Sequence, residues 1–228
     1  MRGWVRGPVA ATAVLGLGAC VVPLNITIDD DYDVRIRGSG HVVSVTRPVS
    51  AFDAVSAEGA MRVIVERTGF EGVTITAEDN LLPYIVAEVR DGVLVVRQAP
   101  GVRLDPRREM IVRVESYEVV ELIASSAVAM EVDMGWVPEL WVAVSGASDL
   151  VVWGSADRQN VTVSGASRYD ALDLETGECF MDVSGASDAL VWARAWLEVD
   201  ASGASRVRFR GNPVVVARTS GGSTVTRY

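Results

Sequence analysis

Short stretches of alternating apolar and polar residues run along most of the chain. Alternation with a period of two is the pattern of a β-strand that buries one face. Between residues 38 and 228 no stretch shows sustained helical periodicity. Seven such stretches precede residue 119, at 42–46, 52–55, 61–66, 73–77, 85–89, 93–96 and 110–115. Asp91 and Gly92 separate two apolar runs, which indicates a tight hairpin turn. The pattern predicts an all-β fold.

After residue 119 the alternation becomes repetitive, and one tetrapeptide punctuates it. Ser-Gly-Ala-Ser occurs at 145–148, 164–167, 184–187 and 202–205, with degenerate copies that begin at Ser125 and Ser220. The first serines of the copies recur every 18 to 20 residues. A fixed period near 20 residues is typical of stacked units, each of which buries a face on the next.

The residues before each copy show what kind of unit is repeated. The residue three places before each motif and the residue directly before it are mostly apolar. The residue between these two is apolar in the first copies and polar in the later ones. Each copy is therefore entered by a short strand with one face inward. A unit of this length has no room for a strand and a crossover helix. The repeat predicts a right-handed parallel β-helix, a single-chain β-solenoid with strands roughly 4.8 Å apart.

We interpret the tetrapeptide as a structural ladder rather than a catalytic motif. Glycine relaxes the backbone at a corner, and we expect the small third residue, such as Ala166 or Ala186, to point inward. A nucleophile is unique and needs a base beside it, whereas these serines repeat, so we expect their hydroxyls to satisfy the turn backbone. The ladder consists of Ser145, Gly146, Ala147, Ser164, Gly165, Ala166, Ser184, Gly185, Ala186, Ser202, Gly203 and Ala204.

The residue after each motif alternates in charge. The four residues are Asp149, Arg168, Asp188 and Arg206. Stacking would place each carboxylate next to a guanidinium, and such exposed cross-strand pairs contribute roughly 0.2–1 kcal/mol each. We therefore predict a charge ladder on the outer wall rather than a pair of catalytic acids.

Aromatic residues at outward positions are the binding candidates. Trp141 and Phe180 stand four residues before a motif, and Trp153 and Trp192 stand eight residues after one. We expect the members of each pair to lie two rungs apart. Exposed aromatic rings at regular spacing suit stacking on a glycan or a peptide. The alternative is that these rings cover a core edge, pack on the N-terminal strands or meet another subunit.

The N-terminus has the pattern of a targeting segment. Arg2 and Arg6 precede an apolar run, and Leu17-Gly18-Ala19-Cys20 resembles the bacterial lipobox. We predict a lipoprotein signal peptide at 1–19, a lipidated Cys20 with an acidic tether at 20–37, and a solenoid domain at 38–228. An ordinary signal peptide is the alternative. The membrane is then a partner through the lipid, in the bacterial cell envelope. We expect the outer membrane because the residue after the cysteine is not aspartate.

Charge and composition narrow the partners and the chemistry. The formal net charge of −9 disfavours nucleic acid as a partner. The chain has one histidine and two cysteines, without the spacing of a metal site, and it carries no cofactor motif. We therefore predict no metal, no cofactor and no catalytic residue. With Cys20 acylated, Cys179 would have no cysteine to pair with, and we expect it to act as a half-buried small hydrophobic residue.

Several short motifs, taken in order, resemble a known family. They are Gly38-Ser39-Gly40, Thr46-Arg47-Pro48-Val49, Phe52-Asp53-Ala54-Val55, Gly59-Ala60, Asn80-Leu81-Leu82, Asp91-Gly92-Val93-Leu94 and the Ser-Gly-Ala ladder. Over residues 38–228 the chain resembles the putative auto-transporter adhesin head GIN domain. The resemblance implies a right-handed β-helix in a bacterial envelope protein, often a lipoprotein, without established catalytic residues.

Two functional hypotheses follow. The first is a non-enzymatic envelope lipoprotein whose rigid solenoid presents a binding or scaffolding surface, with adhesion to a glycan or a protein. The second is a polysaccharide-active enzyme on a β-helix, which needs a groove with unpaired acids of shifted pKa. The sequence favours the first hypothesis, because no unique polar constellation interrupts the ladder. It leaves the ligand and the oligomeric state open.

Overall fold

The computed structural model describes residues 26–28 and 34–228, and most of that part of the chain is β-strand. Ten short strands come first: β1 (Ile26–Ile28), β2 (Val34–Arg37), β3 (Val42–Arg47), β4 (Ala54–Glu58), β5 (Arg62–Arg67), β6 (Gly72–Glu78), β7 (Ile85–Arg90), β8 (Val93–Gln98), β9 (Val102–Asp105) and β10 (Ile111–Ser116). A 3-10 turn at Leu82–Tyr84 precedes β7. Within the described residues no helix has the length and hydrophobicity to cross a bilayer. All seven strands predicted before residue 119 are confirmed.

The hairpin predicted at Asp91 and Gly92 is also confirmed. Strands β7 and β8 pair antiparallel across these two residues. Their φ angles are 51° and 82°, and positive values at both central positions define the type I′ turn that suits the twist of a two-residue hairpin.

The second part of the chain is a regular stack. Its strands are β11 (Glu121–Ser125), β12 (Ala129–Val144), β13 (Asp149–Val163), β14 (Arg168–Val183), β15 (Asp188–Ala201), β16 (Arg206–Arg210), β17 (Val214–Thr219) and β18 (Thr224–Arg227). Every pairing among these strands is parallel. The stacked coils form a β-solenoid of about 5 turns, which confirms the predicted fold class.

The solenoid has two principal faces. Face A contains β4, β11, the second halves of β12 to β15, and β17. Face B contains β5, the first halves of β12 to β15, β16 and β18. At the N-terminal end, β8 and β7 extend face A, and β10, β6 and β3 extend face B. The core lies between the two faces. Inward side chains at equivalent positions of successive coils stack into columns, and one such column consists of Leu122, Val142, Val161, Met181 and Val199.

The Ser-Gly-Ala-Ser corners connect face A to face B, and there one prediction is wrong. Ala166 and Ala186 are exposed, whereas the serine that follows each of them is buried. Gly165 and Gly185 have φ angles of 81° and 79°. This left-handed turn directs the third residue to solvent and the fourth to the core. The position of the corner that has no room for a side chain is the glycine, because a Cβ on Gly165 would lie 2.5 Å from the carbonyl oxygen of Gly146.

The corner is held by hydrogen bonds that repeat from rung to rung. The amide of Ala166 donates to the carbonyl of Gly146 at 2.8 Å, and the next rung repeats this bond. The hydroxyl of Ser187 donates to the carbonyl of Ser184 at 2.8 Å, and that of Ser205 donates to its own corner in the same way. In these two copies the second serine of the motif therefore closes the turn from the inside.

The N-terminal boundary of the domain differs from the prediction. Residues 34–37, which the sequence assigns to the tether, form strand β2 and pair with β9. Ile36 is buried there, and β1 pairs antiparallel with β2. A hydrophobic side chain in a strand of four residues gives little periodic signal, which explains the difference. The predicted signal peptide and Cys20 lie outside the described residues.

Candidate ligand-binding groove

A shallow groove with a volume of about 460 Å³ crosses the outer surface of face A. Its floor is built from alternate residues of the strands, because every second side chain of a strand faces outward. The outward residues that line it are Glu121, Trp141, Ala143, Asn160, Thr162, Phe180, Asp182, Glu198 and Asp200. The groove therefore runs along the stack and collects side chains from five successive coils.

Strand register places the aromatic residues of the groove in one column. Trp141 pairs with Asn160, and Asn160 pairs with Phe180. With strands about 4.8 Å apart, the two aromatic residues lie two rungs, or roughly 9.6 Å, from each other. Trp141 is 52% exposed, although an indole ring of this size is usually largely buried. The column presents two rings with a carboxamide between them.

Polar contacts at the edge of the groove orient this column. The Nδ2 of Asn160 donates to Oε1 of Glu139 at 2.9 Å, which leaves the carbonyl oxygen of Asn160 available as an acceptor. The guanidinium of Arg158 lies 5.4 Å from the centre of the Phe180 ring and also contacts Glu178 at 2.7 Å. The carboxamide and the phenyl ring are therefore supported from the side rather than free to rotate into solvent.

The C-terminal end of the groove is acidic but carries its own counter-charge. Arg218 contacts Glu198 at 3.3 Å and Asp200 at 3.2 Å. The hydrogen bond to Asp200 raises the pKa of Arg218 above its ordinary value, and the charges of both carboxylates act in the same direction. These acids form a surface ion-pair cluster rather than an unpaired pair of carboxylates.

The second aromatic pair does not share a column, contrary to the prediction. Trp153 pairs with Asp173, whereas Trp192 pairs with Glu175. The register shifts between Ala171 and Glu175, because β14 has 16 residues and β15 has 14. Counting from the motif cannot detect such a bulge.

The charged residues after the motifs are in register, but their contacts differ. Arg206 contacts Asp188 at 3.4 Å. Arg168 instead binds Asp170 of its own strand at 2.9 Å. That hydrogen bond raises the pKa of Arg168 more than the charges of Asp149 and Asp188 do. The charges on the outer wall thus alternate from rung to rung, but an arginine there contacts an acid either of the neighbouring rung or of its own strand.

Glu78 is a buried acid whose role the sequence does not reveal. Its carboxylate has no solvent exposure and accepts the amides of Gly40 at 2.5 Å and Arg107 at 2.8 Å. Next to it, Asp79 accepts the hydroxyl of Ser39, and this hydrogen bond is the main cause that lowers the pKa of Asp79. These contacts fasten the segment between β2 and β3 to the end of β6. A single glutamate at a strand end gives no sequence signal of such a role.

A second buried polar group lies inside the stack. The hydroxyl of Tyr169 donates to Oε1 of Gln159 at 2.9 Å, and Nε2 of Gln159 donates to Oγ1 of Thr176 at 2.8 Å. All three residues are buried, and burial raises the pKa of the Tyr169 phenol well above its ordinary value. The Cys179 thiol is fully rather than half buried, and its pKa is raised for the same reason. The network is internally satisfied, so its role is structural.

The described residues provide no evident metal site. Across 26–28 and 34–228, no three His, Cys, Asp or Glu residues are grouped so that they could hold an ion. The groove offers aromatic faces, a carboxamide, a hydroxyl and carboxylates. This set of groups can stack on and hydrogen-bond an uncharged ligand.

The fold and the groove define a parallel β-solenoid with one open, aromatic-lined face. A family model described as "Putative auto-transporter adhesin, head GIN domain" matches residues 51–213. The chain belongs to this family, which confirms the resemblance found in the sequence. The match covers most of the solenoid and begins just before β4.

Solved structures share this fold. A putative adhesin from Bacteroides fragilis is 14% identical with a TM-score of 0.70, covering 85% of this chain and 100% of that chain. A putative adhesin from Parabacteroides merdae is 18% identical with a TM-score of 0.53, at 85% and 99% coverage. A putative lipid binding protein from Parabacteroides distasonis is 18% identical with a TM-score of 0.50, at 85% and 99% coverage. None of the curated proteins matches this chain.

Proposed function

We propose that the protein is a non-enzymatic envelope lipoprotein that binds an uncharged segment of a glycan in the groove of face A. The observation that carries the proposal is the column Trp141, Asn160 and Phe180, in which two aromatic rings flank a carboxamide. Trp141 is 52% exposed, and Asn160 and Phe180 are partly exposed beside it on the same face. Exposed aromatic surface next to convergent polar groups is typical of a binding site.

The chemistry of the groove fits a sugar chain. The apolar face of a pyranose ring stacks on an aromatic ring, and the free carbonyl oxygen of Asn160 and the hydroxyl of Thr162 can bond sugar hydroxyls. Asp182 adds an acceptor at the same surface. The acidic side chains repel anionic ligands, so the groove favours uncharged sugars. Its volume of about 460 Å³ lies in the usual range for small-ligand sites.

The envelope location rests on the N-terminal sequence and on the family. The lipobox-like segment before Cys20 supports lipid anchoring, and membership of an adhesin-type family supports a cell-envelope or surface protein. The lipid would then hold the solenoid near a membrane, which we expect to be the outer membrane. Face A would be presented to glycans of the envelope. Replacing Cys20 with alanine should move the protein from the membrane fraction to soluble or unprocessed material.

A binding role fits the groove better than polysaccharide cleavage. Glycosidic cleavage by a carboxylate pair requires one protonated carboxyl and one carboxylate placed across the scissile bond. The acids at the end of the groove, Glu198 and Asp200, instead share the guanidinium of Arg218. That arrangement is typical of a structural ion-pair cluster.

The test compares two tryptophans of equal exposure. Trp141 lies in the groove, whereas Trp136 lies outside it, and both are 52% exposed. A glycan array should identify a ligand of the wild-type protein, and calorimetry should then compare Trp141→Ala with Trp136→Ala. We expect Trp141→Ala to weaken binding by about tenfold, the loss of one aromatic stacking contact, and Trp136→Ala to leave it nearly unchanged.

Two results would overturn the proposal. If Trp141→Ala binds the identified glycan as tightly as the wild type does, the groove is not the binding site. If the wild-type protein shortens the glycan during incubation, the protein is an enzyme rather than a binding protein. Chromatography of the glycan after incubation detects the second case.

A further inference from the structure

Charge is divided unevenly along the solenoid. Residues 126–200 contain thirteen acidic residues and three arginines, whereas residues 201–228 contain five arginines and no acidic side chain. The last coil is therefore basic in a protein whose formal net charge is −9. Such a segregated charge steers anionic partners toward one end of the molecule. Arg218 of this end contacts acids of the groove of face A, whereas Arg206, Arg208 and Arg210 lie on strand β16 of face B, outside the groove.

Three of these arginines lie in one row on face B. Val207 is buried, so its neighbours Arg206 and Arg208 point outward from β16, and Arg210 follows the same alternation. On the adjacent strand β18, Thr224 is the register partner of Arg206, and Thr226 is the register partner of Arg208. The row of guanidinium groups is thus bordered by a row of hydroxyls, about one strand spacing away.

Arg208 and Arg210 differ from Arg206 and Arg218 in what holds them. Arg206 and Arg218 each contact carboxylates of the preceding coil. The guanidinium of Arg210 lies 4.2 Å from the centre of the Trp192 ring, and that of Arg208 lies 5.9 Å from the Tyr228 ring. Among the described residues no carboxylate oxygen lies within 4.0 Å of either group. Nε of Arg208 is also buried without a hydrogen-bond partner there.

We propose that this row is an oxyanion site, in which Arg208, Arg210 and Thr226 bind a phosphate or sulfate group carried by an envelope glycan. A guanidinium that is stacked on an aromatic ring keeps its N–H edges free and preorganised for two parallel hydrogen bonds to an oxyanion. Two residues along a strand separate the arginines by about 6.6 Å, so a tetrahedral group between them can accept from both. The Thr226 hydroxyl supplies a further donor beside Arg208.

The alternative that the arginines only stabilise the fold explains less. A structural arginine is normally paired with a carboxylate or with carbonyl oxygens, as Arg47 is with the carbonyls of Leu82 and Ile85. Arg208 and Arg210 have aromatic neighbours but no anionic partner among the described residues. A bound oxyanion would supply the charge and the acceptors that these guanidinium groups lack.

The test uses variants with matched charge. Arg208→Gln combined with Arg210→Gln removes the proposed site. Arg113→Gln combined with Arg194→Gln removes the same charge from exposed ion pairs elsewhere. Calorimetry with a heparin-derived oligosaccharide at low salt should show that the first double variant binds at least about tenfold more weakly than the wild type does. The control should stay within about threefold of the wild type. Thermal unfolding of both variants checks that each is folded.

A lysine variant and two further probes sharpen the result. Arg208→Lys with Arg210→Lys keeps the charge but loses the planar fork, so it should bind more weakly than the wild type does. Inorganic phosphate alone should compete weakly with the oligosaccharide. Vesicles of phosphatidylcholine with and without phosphatidylglycerol distinguish a lipid headgroup from a glycan as the source of the oxyanion.

Three outcomes would overturn the assignment. They are an equal loss of affinity in both glutamine variants, wild-type affinity in the lysine variant, and the absence of binding to every probe. The first two outcomes would show that net charge rather than this site attracts the anion. Vesicle binding that requires phosphatidylglycerol and is lost only in Arg208→Gln with Arg210→Gln would support the site and identify the headgroup as its source. Failure of this experiment leaves the groove of face A untouched, because that groove is tested with uncharged glycans.

Discussion

The N-terminal part of the solenoid and the C-terminal stack are held together by different kinds of contact. In residues 34–116, strands pair both parallel and antiparallel, and single side chains make contacts that occur once, such as the carboxylate of Glu78. In residues 121–228 every pairing is parallel, and the same corner bond recurs at successive rungs. One part is specified by unique contacts and the other by repetition.

The difference determines where each part is vulnerable. In a stack, each rung interacts chiefly with its two neighbours, so a change that keeps the rung shape has a local cost. A change that prevents two rungs from approaching disrupts both sides of the contact. In the N-terminal part, the loss of one buried partner leaves groups unsatisfied that no neighbouring copy can replace. The predictions below separate these cases, from the largest expected effect to the smallest.

The largest effect should come from a methyl group on the glycine column. Gly165 and Gly69 have φ angles of 81° and 79°, so alanine is strained equally at both positions. A Cβ at position 165 would lie 2.5 Å from the carbonyl oxygen of Gly146 on the preceding rung, whereas position 69 is open. We expect Gly69→Ala to cost about 1–2 kcal/mol. Gly165→Ala should cost at least about 4 kcal/mol, because the rungs must move apart.

Urea unfolding of the two variants measures this difference. Equal midpoints for Gly165→Ala and Gly69→Ala would show that the rungs can separate at little cost, and that close stacking of the glycines does not stabilise the solenoid. If Gly165→Ala yields no soluble protein, Gly203→Ala provides a second test nearer the end of the stack, where a Cβ would lie 2.6 Å from the carbonyl oxygen of Gly185.

The next effect should come from the unique contact in the N-terminal part. Glu78→Gln would turn an amide N–H toward backbone N–H groups that now donate to a buried carboxylate. We expect a loss of about 2–4 kcal/mol in the free energy of unfolding. Glu131→Gln is the matched control, because it removes a half-exposed carboxylate paired with Arg62 at 2.8 Å and should cost at most about 1 kcal/mol.

Hydrogen exchange localises the effect of Glu78→Gln. The amides of Gly40 and Arg107 should exchange faster in this variant, whereas amides of the corners between β13 and β15 should keep their protection. Unchanged exchange at Gly40 would mean that the carboxylate does not fasten the segment before β3.

The same difference explains how much of the fold could be predicted from the sequence. In the stack, a constant step and a period-2 pattern fix the parallel register, and this register is what places Trp141 two rungs from Phe180. The orientation of Ala166 was predicted wrongly, because a left-handed glycine reverses which of the next two residues faces inward. Trp192 was misplaced because a bulge within β14 changes the register without changing the motif.

In the N-terminal part, the positions of seven strands could be predicted but their partners could not. Strand β3 pairs with β6 rather than with β4, so its neighbour lies about 30 residues away along the chain. Local alternation carries no information about such a pairing. The candidate groove was only partly anticipated, because Asn160 and the acids bound by Arg218 become neighbours through the stacking of coils.

The smallest effect should distinguish two serines that occupy the same place in the repeat. Ser167 and Ser187 are both buried, with 2% exposure. The hydroxyl of Ser187 donates to the carbonyl of Ser184, whereas that of Ser167 has no hydrogen-bond partner among the described residues. Ser187→Ala removes a buried hydrogen bond and should cost about 1 kcal/mol. Ser167→Ala removes a hydroxyl that is buried without compensation, so it should be neutral or slightly stabilising. Thermal unfolding should therefore place the midpoint of Ser187→Ala about 2–4 °C below that of Ser167→Ala. Equal losses in both variants would mean that Ser167 makes the same corner bond as its neighbours, and that the repetition of the stack extends to every rung.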